Sequence, residues 1–156
     1  AFFLHAERDV FRFMYKTYPK VKESCPLSAI ILKASLEEFK SALTKDPDDI
    51  GRIFSGLNFL HIASTFGTDI EVVEFLAEEI HPKSFRKVDS TGCTPLALAC
   101  KMDRDFEFIK ILVDKSPLAV QDLNNKGASP LHHAVARKNA SLEIVKLLVE
   151  VWPEAL

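Results

Sequence analysis

Cysteine is scarce in this chain: 156 residues hold three, Cys25, Cys93 and Cys100, at wide spacing. An odd and scattered set does not make a disulfide framework and points to a reducing compartment. No two of them form a C-x2-C pair, so the usual sequence basis for a structural zinc site is missing. A surplus of one charge is missing too. The 20 basic and 22 acidic residues leave a net charge of −2, and no excess of Lys and Arg is available to displace counterions from nucleic acid. Apolar runs are short, so none spans a bilayer. Residues 1–4 are apolar, but Glu7, Arg8 and Asp9 follow, which is not the pattern of a signal peptide. There is no Gly-rich phosphate loop, no HExxH stretch and no Ser/His/Asp spacing. What remains is a globular chain, 47% hydrophobic, long enough for one domain with a sizeable core.

What the chain does have is one phrase written three times. GLNFLHIA at 56–63, GCTPLALA at 92–99 and GASPLHHA at 127–134 stand 36 and 35 residues apart. A phrase repeated at fixed spacing marks a building unit. Each phrase leads into an apolar run that stops at a proline. These runs are IEVVEFLAEEIHP to Pro82, FEFIKILVDKSP to Pro117 and LEIVKLLVEVWP to Pro153. Earlier copies are RDVFRFMYKTYP to Pro19 and LEEFKSALTKDP to Pro47. Leu142, Val145, Leu148 and Val149 fall on one helical stripe, and Ile144, Leu147 and Val151 widen it. A helix apolar over more than half its circumference needs cover on two sides, as in a stack. The closing proline ends each helix, because it lacks a donor and clashes with the preceding turn.

The repeated phrase predicts a second, shorter helix. Thr94-Pro95 and Ser129-Pro130 are good starts, since a hydroxyl caps free amides and proline fits the first turn. Small residues follow: Ala63 and Ser64, Ala97 and Ala99, Ala134 and Ala136. Small side chains let neighbouring helices come close. DSTG at 89–92 and NNKG at 124–127 read as tight turns between units. One such unit cannot bury its apolar face alone, but stacked units bury it against each other.

With Phe-Leu-His at 59–61, Thr-Pro-Leu at 94–96 and Ser-Pro-Leu-His at 129–132, each followed by small residues and a Val/Ile/Leu helix, the chain resembles the ankyrin-repeat family over residues 26–156. The resemblance implies an all-α solenoid of stacked antiparallel helix pairs with projecting hairpin fingers. It implies about four repeats, at 26–55, 56–91, 92–126 and 127–156, behind an N-terminal capping helix or half repeat over 1–25. The units run 35–36 residues, longer than the family's usual length of about 33. Part of the surplus falls between the paired helices, at TFGTD, KMDRD and RKNAS, where only the first keeps a glycine.

In the family's motif position, His61 and His132 are expected to bridge to the backbone of neighbouring fingers. His132 and His133 point about 100° apart on a helix, a poor pair for one metal. His5 and His81 are isolated surface or packing residues. Cys93 and Cys100 read as small buried hydrophobes, with a reactive Cys93 as the alternative if the finger exposes it. The cluster Asp46, Asp48 and Asp49 reads as a solvated turn rather than a calcium loop. Trp152 is expected to pack against a following unit. The chain starts without Met and stops just after a helix-like run, so an excerpt of a longer protein is expected.

Partners in the family often meet the finger tips and the exposed side of the first helices. Carried onto this chain, those positions give Phe54, Leu57, Phe66, Thr91, Lys101, Met102, Lys126 and Arg137. Apolar Phe54, Leu57, Phe66 and Met102 with a basic flank suit an anchor for a protein or peptide. Phe54 and Leu57 have a second reading, as plugs of an irregular finger. The function implied is a protein-binding module, intracellular in the cytoplasm or nucleus, monomeric as an excerpt, with no cofactor, no nucleic acid and no membrane insertion. The alternative is a regulatory or assembly arm of a larger enzyme, channel or scaffold. No acid, base and nucleophile converge in the sequence, so catalysis is not expected.

Overall fold

Among the described residues, each repeat proline stands just past a helix end. The long helices Ile70–Glu79, Phe106–Lys115 and Leu142–Val151 each stop one or two residues short of Pro82, Pro117 and Pro153. The prolines do more than stop them. Each opens a short 3-10 helix, Pro82–Arg86, Pro117–Gln121 and Pro153–Ala155, where a missing amide hydrogen costs nothing.

The computed structural model describes residues 59–155. The expected cap over 1–25, the unit over 26–55, Phe54 and Leu57 lie outside them. The described residues hold six α-helices and no strand: α1 (Phe59–Phe66), α2 (Ile70–Glu79), α3 (Pro95–Lys101), α4 (Phe106–Lys115), α5 (Pro130–Val135) and α6 (Leu142–Val151). The short helices begin as the sequence predicts. Thr94 Oγ1 accepts from the Ala97 amide at 3.3 Å. Ser129 and His132 form a reciprocal capping box, with Ser129 Oγ accepting from the His132 amide and His132 Nδ1 accepting from the Ser129 amide.

The helices queue in a row. Among the short ones, α3 lies between α1 and α5; among the long ones, α4 lies between α2 and α6. Ala63, Ser64, Ala97, Ala99 and Ala134 are all buried, so the short helices approach closely. The long helices bury Val72, Val73 and Leu76 in α2, Phe108, Ile109, Leu112 and Val113 in α4, and Ile144 and Leu148 in α6. One apolar cluster runs through the stack from Phe59 to Leu148. Trp152 is half-buried against this same cluster.

The links within the helix pairs solve one problem in two ways. Gly67 takes a φ of 78° after α1. After α3 the same bend falls on Asp103, with a φ of 58°, the one non-glycine residue with positive φ among the described residues. Aspartate tolerates that region better than most residues, at a cost of about 1 kcal/mol. Its carboxylate lies 3.1 Å from Arg137 of the next unit.

Candidate interaction surface

Each of the two described fingers is built around one Asx side chain. Asp89 Oδ1 accepts from the Thr91 amide at 2.8 Å, the Thr91 hydroxyl at 2.7 Å and the Cys93 amide at 2.9 Å. Asn124 Oδ1 does the same work, accepting from the amides of Lys126 at 2.9 Å and Ala128 at 3.0 Å. Across each turn the Asx amide donates to the carbonyl of Cys93 or Ala128, at 3.0 Å in both. Gly92 and Gly127 close the turns with φ of 77° and 74°. Burial pushes the Asp89 carboxyl up, but its hydrogen bonds from Thr91 and Cys93 outweigh that and leave it below the ordinary carboxylate range.

The fingers are joined to each other and to the helices. The Asn125 amide donates to the Thr91 carbonyl at 3.1 Å, and Asn125 Nδ2 donates to the Ser90 carbonyl at 3.2 Å. Asn124 Nδ2 donates to His133 Nε2 at 3.1 Å and lies 3.6 Å from Cys93 Sγ. His133 is thereby held as an acceptor, and its pKa is lowered by burial first and then by Lys101 and His132.

His61 is fully buried, with Nε2 3.1 Å from the Cys93 carbonyl of the next finger. This is the bridge its motif position implied. Burial lowers its pKa, and the Cys93 carbonyl opposes the shift without reversing it. In the middle unit that place is taken by Ala97, so the bridge is not repeated there. The Cys93 and Cys100 thiols are buried, and burial pushes that of Cys100 up to about 12. Neither is set up as a nucleophile.

The expected contact residues fall into two register lines. Phe66, Met102 and Arg137 share one position at or just beyond the ends of the short helices, with Lys101 beside them. Phe66 and Met102 are half-buried, and Lys101 is exposed. Thr91 and Lys126 share a position at the finger tips, and both are exposed. Arg137 is committed differently: its Nη1 donates to the Lys101 carbonyl at 2.7 Å while Nη2 faces Asp103. That guanidinium ties two units together at the edge of the surface.

Several exposed apolar residues were not singled out from sequence, Val88 and Leu123 among them. Val88 is 50% exposed and Leu123 56%, each directly ahead of its finger's Asx residue. Their matched register was the available signal. A separate open groove of about 570 Å³ runs between α2 and α4, over Phe75 and Ile111, with Glu71 and Glu74 on its rim. It lies on long-helix residues only and includes none of the expected contact positions. No group of three or more His, Cys, Asp or Glu is placed to hold a metal among the described residues. No described helix is long and apolar enough to cross a membrane.

A family model described as ankyrin repeats (3 copies) matches the chain over residues 27–122 and again over 60–154. No curated protein matches the chain significantly.

Proposed function

Because the chain belongs to the ankyrin-repeat family, whose members are generally protein–protein interaction modules, we propose that it binds a protein or peptide through its finger tips and the open side of its short helices. One observation carries this reading. Repetition sets half-buried Phe66 and Met102 in one register line, with exposed Lys101 next to them and exposed Thr91 and Lys126 at the finger tips. Anchors of this kind gain most when a partner finishes burying them. The basic side chains steer a partner segment that carries acidic residues beside an apolar one, so binding weakens as salt rises. Phe54 and Leu57 extend the strip in this proposal.

The test is the double substitution Phe66→Glu with Met102→Glu. A partner captured from native lysate is identified by mass spectrometry, produced pure and titrated against both proteins. The variant should keep the helical circular-dichroism spectrum and lose the binding. Undiminished affinity would remove this surface from consideration.

A further inference from the structure

On the long-helix side of the stack, one apolar line runs from unit to unit. Phe75, Ile111 and Leu147 hold the same register position, and each is half-buried against the core cluster. Phe75 and Ile111 form the apolar floor of the groove between α2 and α4. That groove lies between two consecutive units, so it is open whether or not the row continues. Its charged lining is Glu71, Glu74, Glu78 and Asp114 against one basic residue, Lys115. Lys115 pairs with Glu78, and Lys110 pairs with Asp114 at 3.0 Å. Glu71 and Glu74 are exposed and form no ion pair among the described residues.

Repetition shows that the fold does not require this charge. α2 carries Glu71, Glu74, Glu78 and Glu79 and neither Lys nor Arg. At the position of Glu74, α4 has Lys110 and α6 has Lys146. At the position of Glu79 they have Lys115 and Val151. Glu71 and Glu74, like Glu74 and Glu78, are equal charges three or four residues apart, and such pairs weaken a helix. Glu78 and Glu79 also sit in the last turn, where the helix dipole disfavours anions. A lysine in the place of Glu74 fits the repeat and would relieve the repulsion. A local rule broken without structural gain points to function.

We propose that this groove is a second docking surface, and that it takes a basic protein segment with one bulky apolar residue between Lys or Arg side chains. The apolar side chain lies over Phe75 and Ile111. Cations on one side of it meet Glu71 and Glu74, toward the N-terminal end of α2. Cations on the other side meet Glu78 and Asp114, which share one register position three residues beyond the apolar pair. Arginine suits both ends, because its planar fork matches a carboxylate. The occupant follows from charge complementarity. The surface proposed above presents exposed Lys101 and Lys126 and selects an acidic segment, which this groove repels. The two inferences stand independently.

The test titrates the 156-residue chain against a fluorescein-labelled peptide with a central leucine and two arginines on each side, read by fluorescence anisotropy. Binding should be seen at low salt and weaken as salt rises. Glu71→Gln with Glu74→Lys should weaken it by about tenfold or more. Both residues are exposed, and the lysine copies the two following units, so this variant should keep the helical circular-dichroism spectrum. Glu143→Gln with Glu154→Lys changes the net charge equally but outside the groove, and should weaken binding by less than about threefold. Replacing the peptide's leucine by alanine should weaken binding by about fivefold or more. Phe66→Glu with Met102→Glu should not weaken it. The proposal fails if the peptide does not bind, or if both charge variants lose affinity equally. It fails if the alanine peptide binds as tightly, because the groove is then only an acidic field, or if Phe66→Glu with Met102→Glu abolishes binding. It fails too if the free chain sediments as a dimer that Glu74→Lys returns to monomer, because the occupant is then a second copy.

Discussion

His61 joins two units through one nitrogen. Its ring is fully buried, and Nε2 meets the carbonyl of Cys93 in the next finger. Truncation to alanine leaves a cavity and removes a buried hydrogen bond, so His61→Ala should cost about 2–4 kcal/mol in urea unfolding. The same burial makes the residue pH-sensitive. Burial holds its folded pKa below the ordinary imidazole value of about 6.5, so the unfolded chain takes up the proton first. Stability is therefore full above that value and is lost as pH falls through it toward the folded pKa. His133, also lowered by burial, adds a loss of the same sign. The urea midpoint should drop between pH 8 and 5, and drop less in His61→Gln, whose amide can still donate toward Cys93. An unchanged pH slope in that variant would remove His61 as the source. At this scale the sequence was readable where one motif carries the whole geometry, as in Ser129 capping α5. It announced the turn at Asn124 but was silent on the partners that the same side chain holds beyond it, His133 and the Cys93 sulfur. Those partners meet only once two units are stacked.

Fingers show the same divide among elements. The Asx-x-x-Gly spacing announces each turn, because the side chain replaces backbone partners and the glycine supplies a left-handed φ. It does not announce how far one finger leans on the next. A Cβ added at Gly92 would sit 2.4 Å from Asn125 Oδ1 and 2.7 Å from the Asn125 amide nitrogen, whereas one added at Gly127 would meet nothing within 4 Å. Both glycines have positive φ, so alanine pays about 1 kcal/mol of strain at either position. Only at Gly92 must backbone of the next finger also move. Gly92→Ala should thus destabilise by about 2–3 kcal/mol or more and Gly127→Ala by about 1, with the difference read from thermal melts. Equal losses would mean that contact between fingers contributes little. The helix-pair links were harder to read for a related reason. KMDRD carries no glycine, yet Asp103 takes the turn because its carboxylate gains Arg137 from the following unit.

At the scale of the molecule, stability passes from neighbour to neighbour, and the ties between units are of unequal worth. Among the described residues three ion pairs cross between units, Lys115 to Glu78, Arg86 to Asp122 and Arg137 to Asp103, each with at least one exposed partner. Exposed pairs contribute about 0–1 kcal/mol each, so the stack depends mainly on apolar burial between long helices. That burial is uneven along the row. Ile109 and Val113 of α4 are covered on both sides, while their counterparts Val145 and Val149 in α6 are covered on one. A chain whose units feel only adjacent units loses its least covered element first. Amides in α6 should therefore exchange at least about tenfold faster than those in α4, a gap of roughly 1.4 kcal/mol in local opening. Trp152, the single tryptophan, packs beside α6 and supplies an optical version of the same measurement. Its fluorescence should change at lower urea than the helical signal as a whole. Coincident transitions with equal exchange in α4 and α6 would instead show one cooperative block, and a stack whose end unit is as firmly held as its interior.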